Sequence, residues 1–147
     1  MSQRRVEISH LQPQQLAELR KSTELEIQHF TQSLQALQTA QSKLQDCMKT
    51  IDNMELATSD NLLVPMTSSL YLPGKVSEKD KYLVDIGTGY FVEKNAKDAK
   101  QVYQKKLTKL GEDSKKLRDI LVLKNESINN INMVLRKKMM EAEAAQQ

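Results

Sequence analysis

From Gln14 to Asn61 the chain has neither a glycine nor a proline, and after Gly89 the only breaker is Gly111. These two uninterrupted stretches constrain the fold more than anything else in the sequence, because glycine and proline are the residues that punctuate helices. Between them, Pro65, Pro73, Gly74, Gly87 and Gly89 crowd into a short centre. A chain organised in this way reads as two long helices joined by a segment of strands and turns.

The spacing of apolar residues supports the helices. In the first stretch Leu16, Thr23, Phe30, Leu37, Leu44 and Ile51 recur every seventh residue, and Leu19, Ala40, Cys47 and Met54 follow some of them by three. Ile27, Leu34 and Met48 widen the stripe, while Glu26 and Ser33 interrupt it. This is a heptad seam, with Pro13 suited to the first helical turn, where its missing N–H is not needed. A helix over about 13–57 would be roughly 65–70 Å long. In the last stretch Leu107, Leu121, Ile128 and Leu135 mark one seam position and Leu110, Leu117 and Ile131 the other, with Ser114, Lys124 and Lys138 as interruptions. A helix over about 96–142 would have a matching length of roughly 70 Å. Gly111 costs about 1 kcal/mol relative to alanine there and reads as a tolerated weak point or a bend.

Charge favours pairing the two helices with each other. The net charge of +3 conceals an asymmetry: residues 1–60 sum to −2 and residues 96–147 to +5. Opposite charge, matched length and compatible seams predict an antiparallel intrachain coiled coil, although periodicity also allows each helix to pair with another chain. With no Trp, four Tyr and two Phe, the chain lacks the aromatic bulk of a compact core of its length. A seam needs less.

The centre has a different period. Leu62–Met66, Ser69–Leu72, Tyr82–Ile86 and Tyr90–Val92 read as short strands, with Pro73-Gly74 as a turn pair and Gly87-Thr88-Gly89 as a hairpin turn. Two hairpins over about 62–94 cannot bury their own faces and are marginal alone. They are expected to pair with equivalent hairpins of other chains, which makes the centre an assembly module.

No catalytic arrangement is legible. Gly87-Thr88-Gly89 lacks the third glycine and the immediate helix of a dinucleotide fingerprint, and Pro73-Gly74-Lys75 lacks the frame of a P-loop. His10 and His29 have no neighbouring ligand residues, so no metal is expected. Cys47 falls on the seam, where burial as a small apolar group is the simpler reading. Ser68-Ser69 has no nucleophile-elbow glycines, and Asp85 has no carboxylate partner. Arg136-Lys137-Lys138 is too short for a basic DNA-binding helix, and the run reads as a solvated face. Neither an enzyme nor a cofactor nor a nucleic-acid partner is expected. No stretch reaches the ~18 apolar residues that span a bilayer. The run Met1–Glu7 has no signal-peptide core, and a single cysteine fits a reducing, cytoplasmic setting. The Asn125-Glu126-Ser127 sequon would then go unused.

The run from Leu63-Val64-Pro65-Met66 through Leu70-Tyr71-Leu72-Pro73-Gly74-Lys75, followed by Val84-Asp85-Ile86-Gly87-Thr88-Gly89-Tyr90-Phe91-Val92-Glu93-Lys94, resembles the hairpin region of the α-class prefoldin subunits, most of all their eukaryotic subunit 5 group. The flanking helices agree in length and pattern, so the likeness extends over nearly the whole chain. It implies a mainly α fold in which a long antiparallel coiled coil is joined by two β-hairpins that contribute to an oligomeric β-barrel. It also implies a hexamer with one further α-class and four β-class subunits, which captures unfolded actin and tubulin without ATP and passes them to the cytosolic chaperonin. On that likeness Leu63, Val64, Leu70, Tyr71, Leu83, Val84, Ile86, Tyr90, Phe91 and Val92 are the expected assembly residues.

In such a hairpin the outer end holds both chain termini. There Leu11, Leu16 and Leu19 would face Met133, Val134, Leu135, Met139 and Met140, and apolar groups left partly exposed at a frayed end could hold a non-native chain. The same residues could equally do no more than close the seam. Two other classes fit the helices: a homo-oligomeric coiled-coil scaffold, which gives the hairpins no purpose, and a coiled-coil transcription cofactor. The family is also linked to the nucleus, so a second role there can coexist with a cytoplasmic one.

Overall fold

The computed structural model describes residues 8–145 of the chain. The Met1–Glu7 run read for a signal peptide lies outside them. After a 3-10 turn at Ile8–His10, the order is α1 (Pro13–Leu56), β1 (Asn61–Pro65), β2 (Tyr71–Lys75), β3 (Tyr82–Gly87), β4 (Tyr90–Lys94) and α2 (Ala96–Ala144). The chain is mainly helical, with two small antiparallel hairpins. The described residues divide into two compact units: 8–38 with 112–145, and 39–111.

Both helices start where local chemistry satisfies their first free N–H groups. At α1, Pro13 takes the first helical position and the Gln15 side chain accepts a hydrogen bond from the Gln12 N–H at 3.1 Å, half of a capping box. At α2, the Asn95 side chain accepts one from the Asp98 N–H at 2.8 Å, and Asp98 adds negative charge to the first turn.

In the first unit the two helical segments run antiparallel. Lys138 meets Leu11 and Lys124 meets Glu26, so one number falls as the other rises. The interior is the heptad seam: Leu16 and Ile131 are closed off at 0% and 2% exposure, Thr23 and Ser114 are buried, and Phe30, Leu117, Leu121, Ile128 and Leu135 are half-buried. The polar interruptions match one another. Glu26 and Lys124, one from each seam, form an ion pair, and the Lys138 ammonium donates to the Leu11 carbonyl at 2.5 Å. Thr23 and Ser33 donate back to carbonyls one turn earlier, at 2.9 and 3.0 Å. The Ser114 hydroxyl is buried without a hydrogen-bond partner. Because Leu16 is the largest fully buried side chain here, Leu16→Ala should destabilise this unit by about 2–5 kcal/mol. Urea unfolding followed by circular dichroism measures it.

In the second unit β3–β4 packs on the ends of the helices and β1–β2 does not. Ile51, Val84 and Ala99 form a core, with Tyr82, Ala96, Val102 and Tyr103 packed around it. Lys100 bridges to Asp52 and Glu55 at 2.5 and 2.6 Å, and those two carboxylates push its pKa up to about 12. Burial raises the Tyr103 phenol, whose hydroxyl lies against Cys47. Cys47 is half-buried. Gly111 is tolerated in α2 with only the Gln41 side chain nearby, at 3.7 Å from where a Cβ would sit.

The two hairpins turn differently. Thr88 and Gly89 both have positive φ, 52° and 80°, as a two-residue type I′ turn requires. Ile86 is the extra residue of a bulge between Asp85 and Gly87; Gly87 has a φ of 126°, and its N–H donates to the Asp85 side chain at 2.8 Å. The first hairpin corrects the reading of Pro73-Gly74 as a turn. Both residues lie inside β2, opposite Leu63 and Leu62. The reversal is made earlier, where Met66 N–H donates to the Leu70 carbonyl at 2.8 Å and Thr67 Oγ1 accepts from Leu70 N–H at 3.1 Å. Proline is tolerated in β2 because a two-stranded sheet is all edge. Glycine at 74 leaves room for Val64: a Cβ there would meet Val64 Cγ2 at 2.8 Å, and the valine side chain would have to turn away.

Candidate assembly and recognition surfaces

The strand residues singled out from the sequence are mostly on the outside. Leu63, Val64, Leu70, Tyr71, Leu83, Ile86, Tyr90, Phe91 and Val92 are all exposed. Val84 is the exception. At 1% exposure it faces the helices and is withheld from any neighbouring chain.

Alternation along the strands explains the difference. In β3, Val84 points into the core while Leu83 points away, and Phe91, opposite Asp85, shares that outer side. The second hairpin thus has one packed face and one open one. The first hairpin has two open faces: Leu62, Val64 and Leu72 are exposed on one side, and Leu63 and Tyr71 on the other. Leu62, Leu72 and Met66 belong to the same apolar surface and were not among the expected assembly residues. The signal for them was Leu62-Leu63-Val64 itself, since a continuous apolar run in a strand is the pattern of burial on both faces. Exposed aliphatic and aromatic surface of this extent is more than a lone chain ordinarily leaves in water.

The residues named for the outer end separate into three groups. Leu16 is sealed in the seam and touches nothing outside it. Leu11, Val134 and Leu135 are half-buried along it. Leu19, Met133, Met139 and Met140 are exposed. Met133 and Met140 lie on the far side of α2 from the seam, on one exposed strip of the helix with Arg136, Lys137, Glu141 and Ala144. The sequence reading had them facing the first helix. The difference is rotational: two residues on from the buried Ile131 is roughly half a turn of helix.

Among the described residues no group of three or more His, Cys, Asp or Glu is placed to hold a metal ion. No helix among them is long and apolar enough to cross a membrane. The described surface offers apolar area on the strands of one unit and, in the other, an exposed strip of α2 with two methionines among charged side chains.

Known proteins share this organisation. The family profile described as "Prefoldin subunit" matches residues 23–141. Prefoldin subunit 5 of Arabidopsis thaliana is 34% identical over 145 residues, covering 98% of this chain and 96% of that one. Prefoldin subunit 5 of Homo sapiens is 34% identical over 119 residues, covering 79% and 76%. Among solved structures, a chain of the filamentous PFD of Methanocaldococcus jannaschii superposes with a TM-score of 0.70 at 18% identity, covering 79% of this chain and 97% of that one. The last likeness concerns the fold alone.

Proposed function

This chain belongs to the prefoldin family of co-chaperone subunits, and on that premise we propose that it is one of two α-class subunits in a hetero-hexamer with four β-class subunits. The observation that carries the proposal is the first hairpin, apolar and open on both faces. A single hairpin is marginal in water, so surface of this kind is stable only when other strands or helices cover it. Paired hairpins from several chains do that by closing into a barrel, which removes every edge.

In this reading the complex acts without catalysis or ATP. It captures unfolded proteins, actin and tubulin among them, on apolar surface at the outer ends of its coiled coils and passes them to the cytosolic chaperonin. Weak, adaptable contacts suit that task, since the client must be held without sequence preference and then released. Its place is the cytoplasm, with a separate nuclear role compatible with the same surfaces.

Native mass spectrometry of the complex purified through a tag on this chain tests the assembly. The expected result is a hexamer of roughly six times the 16.8 kDa of this chain, with this chain present as one copy among different small subunits. A homo-oligomer containing only this chain would overturn the proposal and leave a coiled-coil scaffold.

A further inference from the structure

The first hairpin is joined to the rest of its unit differently from the second. Val84 seats β3–β4 on the helices against Ile51 and Ala99, and no residue of β1 or β2 belongs to that cluster. Residues 57–60 lead from α1 into β1, and residues 76–81 lead from β2 into β3. With nothing across this joint, the backbone dihedrals of the short 57–60 segment would let the hairpin swing, and fixing them costs conformational entropy.

Lys79 spans the joint. Its ammonium donates to the Ala57 carbonyl at 2.8 Å and pairs with the Asp60 carboxylate at 3.0 Å. Ala57 continues the last turn of α1, since its N–H donates to the Met54 carbonyl at 3.4 Å. Asp60 is the foot of the hairpin: its carbonyl accepts from the Val76 N–H at 2.8 Å, just outside the Asn61–Lys75 pair of the ladder. An ammonium has three donors, so one side chain can hold the helix end and the hairpin foot together. A helix end suits a cation, because its last carbonyls carry partial negative charge. The segment that bears Lys79 is itself tied to the seated hairpin. Lys81 pairs with Glu78 at 2.7 Å and with Glu93 of β4 at 3.3 Å.

We infer that Lys79 is a positioning residue for subunit assembly, setting the angle at which the first hairpin is presented to neighbouring chains. The inference rests on the hexamer proposed above and adds the residue that readies its most exposed strands. The Lys79 and Asp60 side chains are 35% and 43% exposed, and a pair so open to water contributes little to folding. It can still decide the pose of the hairpin, because the core does not reach β1 or β2. A neighbour binds only the fraction of chains whose hairpin already points the right way, and apparent affinity falls in proportion to that fraction. The effect of Lys79 therefore belongs to association and leaves the helices as they are.

The test titrates the full chain into its partner subunits, follows the hexamer by native mass, and compares the parent with K79M, D60N and K79R. K79M keeps the aliphatic stem and loses both contacts, so assembly should weaken about 10-fold. D60N keeps the carbonyl bond and should fall between K79M and the parent. K79R can donate to both acceptors and should restore assembly to within about 2-fold. Circular dichroism should be the same for every chain. A second readout separates pose from folding: spin labels at N53C in α1 and S68C at the tip of the hairpin, in a C47A background, report a distance distribution by electron–electron resonance. That distribution should broaden in K79M and narrow again in K79R, while hydrogen exchange of β1 and β2 stays at the parental level. Parental assembly by K79M, or an unchanged distribution, overturns the inference. So does a loss of β1–β2 protection that parallels the loss of assembly, which would make Lys79 a support of the strands themselves. A parent chain that forms no mixed hexamer overturns the assembly reading, and this inference with it.

Discussion

Phe91→Lys is expected to leave the chain folded and to abolish its assembly. Phe91 is 61% exposed in the isolated chain, so little of its packing is lost within the subunit. Its cross-strand partner is Asp85, and a lysine there faces a carboxylate, which mildly favours the β3–β4 pairing. Aspartate at 91 would be a poorer choice, since it would set two like charges opposite each other. In the assembled platform the balance reverses. Burying the remaining surface of a phenylalanine contributes about 2 kcal/mol, and placing an ammonium in the same apolar contact costs several more. At about 1.4 kcal/mol for each factor of ten, the loss amounts to roughly a thousandfold or more in subunit affinity. Mixing the variant with the partner subunits and measuring native mass should give no hexamer, while its circular dichroism matches the parent chain. A hexamer of normal yield would show that the outer face of the second hairpin is not an assembly surface.

The parts of this fold that were legible in the sequence are those governed by spacing. Leu16, Thr23 and Ile51 are buried and Phe30, Leu37 and Leu44 half-buried in one heptad frame because a helix repeats its face whatever lies opposite. Even the interruptions carried information. Glu26 and Lys124, each a flaw in its own seam, are complementary, and a charged residue at a seam position fixes register at some cost in stability. What escaped the sequence reading depended on geometry that spacing does not encode. Pro73-Gly74 has the composition of a turn, yet the Thr67 hydroxyl makes the turn and Gly74 serves a strand that passes close to Val64. The outer end failed for a related reason. Met133 and Met140 are apolar residues near a helix end, and composition alone drew them to the seam. Their distance in sequence from Ile131 and Lys138 places them on the opposite face. The division of the hairpins into one packed and one open on both sides was also not written in either. Leu83-Val84 and Leu63-Val64 look alike as dipeptides, and only the presence of Ile51 and Ala99 beneath Val84 separates them.

That contrast sets up the second large effect. Val84→Asp should detach the second hairpin from the helices while the first unit stays intact. Val84 is 1% exposed against Ile51 and Ala99, so the substitution removes two methyl groups from the core and puts a carboxyl among aliphatic neighbours. Losing the apolar side chain costs about 2 kcal/mol, and an unpaired buried charge costs several more, which together exceed what a small hairpin contact supplies. Hydrogen exchange should therefore show loss of protection across β3 and β4, with the helical amides of residues 13–38 and 112–144 unchanged. The defect has a pH signature. Burial raises the pKa of the introduced carboxyl above its unfolded value of about 3.9. A group whose folded pKa is raised favours the folded state below its unfolded pKa, and that favour is lost as pH rises through the folded pKa. Docking of the hairpin should thus be best near pH 4 and weakest at neutral pH, the opposite of simple acid unfolding. Val84→Ala separates size from charge: it should lower protection modestly and equally at both pH values. Equal protection in Val84→Asp and the parent at neutral pH would mean that the second hairpin is held by its strands and turn alone, and that the Ile51–Val84–Ala99 contact contributes nothing to its position.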